Sequence, residues 1–82
     1  MITISFGIDC DPFCRRQPHF QDFVENLLGH SCKPVSKFFG AWEWENITVT
    51  HEQHKLIATT LIEWYNDGKC RGAFCTDLKK FI

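Results

Sequence analysis

Ile2-Thr3-Ile4-Ser5-Phe6-Gly7-Ile8 alternates large apolar residues with small or polar ones at every step. Successive side chains of an extended chain leave opposite faces, so the stretch predicts a strand over 2–8 with every bulky group on one side. Thr3, Ser5 and Gly7 fall on the other side, which is the signature of a sheet covered on one face only. Asp9-Cys10-Asp11-Pro12 ends the strand, because aspartate favours turns and proline has no N–H to give to a ladder.

Beyond that loop the period changes. Phe20, Phe23, Val24, Leu27 and Leu28 stand at i, i+3, i+4, i+7 and i+8, one apolar stripe of a helix. Pro18 suits the first helical position and Gly29 a left-handed stop, giving a helix over 18–28. After the connector His30-Ser31-Cys32-Lys33-Pro34, residues 35–49 are dense in aromatic and β-branched types and predict a hairpin. Its strands are expected at 35–39 and 42–49 with the turn near Gly40-Ala41; Glu45-Asn46 is the alternative turn. Thr50 and Gln53 occupy capping-box positions ahead of Leu56, Ile57, Leu61, Trp64 and Tyr65, and Asn66-Asp67-Gly68 closes this second helix. Ala73-Phe74-Cys75 reads as a short last strand, and Leu78, Phe81 and Ile82 behind Thr76-Asp77 as a terminal helical turn.

Strand, helix, strand, strand, helix, strand is the element order of a ferredoxin-like βαββαβ arrangement. The expected fold is therefore a single small α+β domain over 1–82, an antiparallel sheet with two helices on one face. A chain of 82 residues has room for one modest core, and 44% hydrophobic with 23% charged residues excludes a disordered segment. A net charge of -1 gives no long-range attraction to phosphates. No apolar run approaches the ~20 residues needed to span a bilayer. The opening residues lack the basic start, apolar block and cleavage site of a secretory signal, so the expected location is cytoplasmic. Asn46-Ile47-Thr48 matches a glycosylation acceptor only by accident in that setting. Five cysteines, an odd set, are expected as free thiols there.

No stretch names a reaction, and the expected function is binding, not catalysis. Asp9 and Asp11 form the only close pair of acids in a predicted loop, a usual turn pairing, and neither a phosphate-binding glycine loop nor a nucleophile elbow occurs. The leading signal is aromatic content: eight Phe, three Trp and one Tyr are hard for so small a core to hide. Trp42, Glu43, Trp44, Glu45 and Phe38 are the candidate residues of an aromatic and acidic patch that binds another protein. On this reading the chain is a stoichiometric inhibitor, an immunity protein or an accessory protein, with no cofactor; self-association is a further option.

The rival reading uses Cys10 and Cys14. Two thiols lie in a loop between a strand and a helix beside Arg15 and Arg16, a placement that resembles a thioredoxin-type site, where a helix dipole and nearby cations favour thiolate. The spacing departs from that motif, with three residues between the cysteines instead of two. Zinc on Cys10, Cys14, Cys70 and Cys75 would brace a small core, although these gaps are not those of zinc knuckles. His51 and His54, at i and i+3 in the first turn of the second helix, could share a metal or a proton, or could simply be solvated; His19 is expected at the surface. A third reading gathers Arg15, Arg16, Lys33 and Lys37 with Phe38 and Phe39 into a nucleic-acid site, which Glu43 and Glu45 oppose.

Overall fold

β1 (Ile2–Asp9) lies inside the sheet, between β3 (Ala41–Val49) and β4 (Gly72–Cys75), with β2 (Val35–Phe38) on the far side of β3. The computed structural model describes residues 1–10, 16–38 and 40–76, with Lys37 and Phe38 described as backbone alone. All three strand pairings are antiparallel. α1 (Gln17–Leu28) carries the chain from β1 across β3 to β2, and α2 (His51–Asn66) carries it from β3 across β1 to β4. The expected α+β class and the expected order of elements are both present. The expected terminal turn at Leu78, Phe81 and Ile82 lies outside the described residues.

Alternation decides which face the helices cover. Ile4, Phe6 and Ile8 of β1 join Phe20 and Val24 of α1 and Ile57, Ala58 and Leu61 of α2 in one buried cluster. Register completes it, because directly opposed residues share a face: Ile2 faces Val49, Ile4 faces Ile47, Phe6 faces Trp44 and Ile8 faces Trp42. Between Ile4 and Phe6 the register slips, so that Glu45 and Asn46 together oppose Ser5. Asn46 adopts φ 55 there, and its N–H donates to Ser5 Oγ at 3.2 Å. Glu45-Asn46 is thus a bulge, while the hairpin turns at Gly40, φ 89. The bulge lets the odd-spaced residues Trp44 and Ile47 serve the same core.

Helix ends follow the sequence signals. α1 opens one residue earlier than expected, at Gln17, with Pro18 in its first turn, and Gly29 closes it at φ 80 with its N–H donating to Glu25 O at 2.8 Å. At α2 the Thr50 hydroxyl accepts from Gln53 N–H at 3.1 Å, and the Gln53 side chain accepts from Thr50 N–H at 2.9 Å. Phe20 gathers the aromatic core, its ring 5.2 to 6.4 Å from those of Phe6, Phe23, Trp44 and Trp64. No described helix is long and apolar enough to cross a membrane.

Candidate binding face

The pleat splits the expected aromatic and acidic patch in two. Trp44 points into the core at 0% exposure, stacked on Phe6 with centroids 5.3 Å apart. Its Nε1–H donates to Cys32 O at 3.0 Å, which satisfies the indole without water. Trp44 is therefore a core residue and is removed from any contact surface. Trp42, half-buried on the same side, floors a groove of about 420 Å³ with Gln21, Lys33, Pro34 and Ser36. Glu43 turns to the opposite, uncovered face, and Glu45 is exposed. The Phe38 side chain lies outside the described residues. Tryptophans and glutamates of one alternating strand cannot share a patch, and the expected five-residue site does not form.

Glu25 fastens the covered side. Its carboxylate accepts from Cys32 N–H at 2.9 Å, from the Ser31 hydroxyl at 3.3 Å and from the Gln21 amide at 3.4 Å. The backbone bond from Cys32 leads in holding this acid below the usual carboxylate range. Cys32 thus joins Glu25 to Trp44, and the connector 30–34 is tied to both helix and sheet.

The uncovered face carries the exposed apolar groups that the sequence reading overlooked. Phe74 of β4 is 42% exposed and pairs in register with Gly7. A Cβ built on Gly7 would lie 2.7 Å from the Phe74 ring, so the ring rests over bare backbone. Beside it opens a notch of about 190 Å³ lined by Gly7, Ala41, Glu43, Gly72 and Phe74 among others. Val35 of β2, 47% exposed, is in register with Glu43 and adds a second apolar group to this face. Across the notch Arg71 meets the Asp9 carboxylate at 3.2 Å. The small side of β1 was the only hint in the sequence. Which strand would lie next to Gly7, and so which ring would stand over it, depends on pairing that a single strand does not specify.

The thiols and histidines disperse. Cys10, Cys32, Cys70 and Cys75 are buried thiols outside any disulfide, and Cys14 lies outside the described residues. Cys75 is in register with Phe6, four residues along β1 from Cys10, or about 13 Å at strand rise. Zinc–sulfur bonds of about 2.3 Å cannot bridge that gap, so the set Cys10, Cys14, Cys70 and Cys75 is not one zinc site. Among the described residues no three His, Cys, Asp or Glu converge as metal ligands. Burial pushes the Cys32 and Cys70 thiols up, which keeps them protonated. His51 is exposed as a solvated helix start would be, but His54 is 2% exposed and its Nε2–H donates to Thr76 O at 2.9 Å. His54 therefore fastens α2 to the residue after β4. His19 is exposed.

Of the basic cluster, Arg16 and Lys33 are exposed, while Arg15, the Lys37 side chain and Phe39 lie outside the described residues, as does Asp11. The chain matches no protein-family model, and no curated protein or solved structure matches it.

Proposed function

We propose that the chain acts by binding another protein through the uncovered face of its sheet, as a small inhibitor, immunity or accessory protein. The observation that supports this is Phe74, an aromatic ring 42% exposed on a face that neither helix shelters. Aromatic side chains are rigid and bury a large area at little entropic cost, which makes them effective anchors at contact surfaces. Val35 extends the apolar area, and Glu43 sets a carboxylate at its centre. The complementary partner presents a small apolar side chain to the notch beside the Phe74 ring.

The test is differential capture from the native host, with Leu56, a somewhat more exposed apolar residue on α2, as the control. Phe74→Ser and Glu43→Lys are expected to lower recovery of one defined partner at least tenfold, and Leu56→Ser to leave it unchanged. Equal recovery by all three variants would remove the proposal. The rivals are a thiol or zinc role at Cys10 and Cys14 and a nucleic-acid role for Arg16 and Lys33. Stoichiometric metal on elemental analysis, or a salt-dependent mobility shift, would put one of them first.

A further inference from the structure

We infer that Cys10 and Cys70 form a cross-strand dithiol, placed to close into a disulfide when the folded protein meets a disulfide oxidant. The ladder between β1 and β4 supplies the geometry. Thr76 N–H donates to Ser5 O at 2.8 Å, and the register runs regularly from Phe6 opposite Cys75 to Asp9 opposite Gly72. There it gains a residue, because Arg71 N–H also donates to Asp9 O, at 2.7 Å. Arg71 and Gly72 both stand against Asp9, a bulge in β4 at its start.

That extra residue has two consequences. Arg71 shares the open side with Asp9, and their side chains meet at 3.2 Å. Cys70, the next residue back, is buried in the same core cluster as Cys10, on the helix-covered side. Cys10 points the same way by its alternation with Ile4, Phe6 and Ile8, and Cys70 and Cys10 are 6% and 0% exposed. Cys10 Sγ lies 3.6 Å from Lys69 O, the oxygen of the carbonyl bonded to the Cys70 nitrogen, and therefore within about 6.5 Å of Cys70 Cα. Cys10 N–H turns toward β3, to Gly40 O at 2.9 Å, as at a position that makes no ladder bond to β4. A disulfide spans Cα atoms about 4.4 to 6.8 Å apart, and the closeness of Cys10 Sγ to the Cys70 backbone is compatible with that reach. Cys75 stands at the level of Phe6 on the sheet, and Cys32 lies in the connector beside Trp44, each away from this pair.

Oxidised glutathione serves as the oxidant. The Cys70 thiolate, the less enclosed of the two, attacks one glutathione sulfur, and the glutathione S–S bond breaks as the mixed disulfide forms. The first glutathione leaves as a thiolate and takes up a proton. The Cys10 thiolate then attacks the Cys70 sulfur and expels the second glutathione. Two protein thiols have lost two hydrogens, and one glutathione disulfide has become two glutathiones. Burial disfavours the Cys70 thiolate, so the reaction quickens as pH rises above neutrality.

The experiment treats the folded full chain with oxidised glutathione at alkaline pH, blocks residual thiols, and maps the peptides by mass spectrometry. Cleavage before Asp11 separates Cys10 from Cys14, and cleavage after Arg71 separates Cys70 from Cys75. The expected result is a Cys10–Cys70 linked peptide, retained in Cys14→Ser and Cys75→Ser and released by dithiothreitol. The closed loop raises the melting temperature by about 10 °C or more. A Cys10–Cys14 link, glutathione adducts without an internal link, or an inert folded chain would each overturn the inference. The mapping reads the unsubstituted protein, so it does not depend on whether a core cysteine variant folds.

Discussion

The covered and open faces of the sheet are made from alternate residues of the same strands, yet they are held by different means. On the covered side Phe6, Phe20 and Trp44 are fully buried and pack stacked, tilted or edge-on against one another, and the one polar atom of the Trp44 side chain is satisfied by Cys32 O. On the open side the contacts are a ring laid over Gly7 and an Arg71–Asp9 pair in reach of solvent. Exposed ion pairs contribute little, and a half-exposed ring has only half its area removed from water. Stability is concentrated on one face, which leaves the other free to carry contact residues. The largest effect is therefore expected from Trp44→Ala, at about 3 to 5 kcal/mol, a large part of the roughly 5 to 15 kcal/mol available to a domain. Phe74→Ala is expected to cost about 1 kcal/mol or less. Urea midpoints compare the two directly, and similar losses would break the distinction between the faces.

Gly7 is where the two faces meet, and it gives the next largest effect. An added Cβ would lie 2.7 Å from both the Phe74 ring and the Trp42 carbonyl oxygen, and 3.0 Å from Glu43 Cγ. The ring can swing aside, whereas the carbonyl belongs to the central strand and cannot. Gly7→Ala is expected to cost about 1 to 3 kcal/mol, with only part recovered when Phe74→Ala is added. A double-mutant cycle reads that fraction. Full recovery would mean that Phe74 alone requires the glycine, and that the backbone approach is immaterial.

How much of this was legible follows from the range over which each signal acts. The β1 alternation, the α1 stripe, the Thr50 and Gln53 capping box and the turn at Gly40 are local patterns, and each lies where expected. Trp42 and Trp44 are expected at a contact surface because twelve aromatic residues are many for so small a core. Phe20 resolved that by ordering four other rings around itself. The alternation of Trp42-Glu43-Trp44-Glu45 already implied that indoles and carboxylates part company, but not which of them face the helices. Phe74 and Val35 come to the open face through register, and Cys70 comes to Cys10 through a bulge. Both are long-range pairings that no short window of sequence contains.

Glu25 gives the smallest effect and the finest test, because a partly exposed carboxylate here serves the covered face. It holds Cys32 N–H, and Cys32 O in turn holds the Trp44 indole. Its hydrogen bonds, that from Cys32 foremost, keep its folded value below the ordinary 4.5. A lowered carboxylate contributes stability that is fully present above the unfolded value and is lost as pH falls through the folded one. Wild-type urea midpoints are therefore expected to drop as pH is taken from above 4.5 downward, and those of Glu25→Gln to drop less over the same window. At neutral pH the Glu25→Gln chain starts lower, since an amide oxygen accepts from Cys32 N–H more weakly than a carboxylate does. Parallel pH profiles for the two chains would show that the clasp does not reach the core, and that Trp44 holds the connector without help from α1.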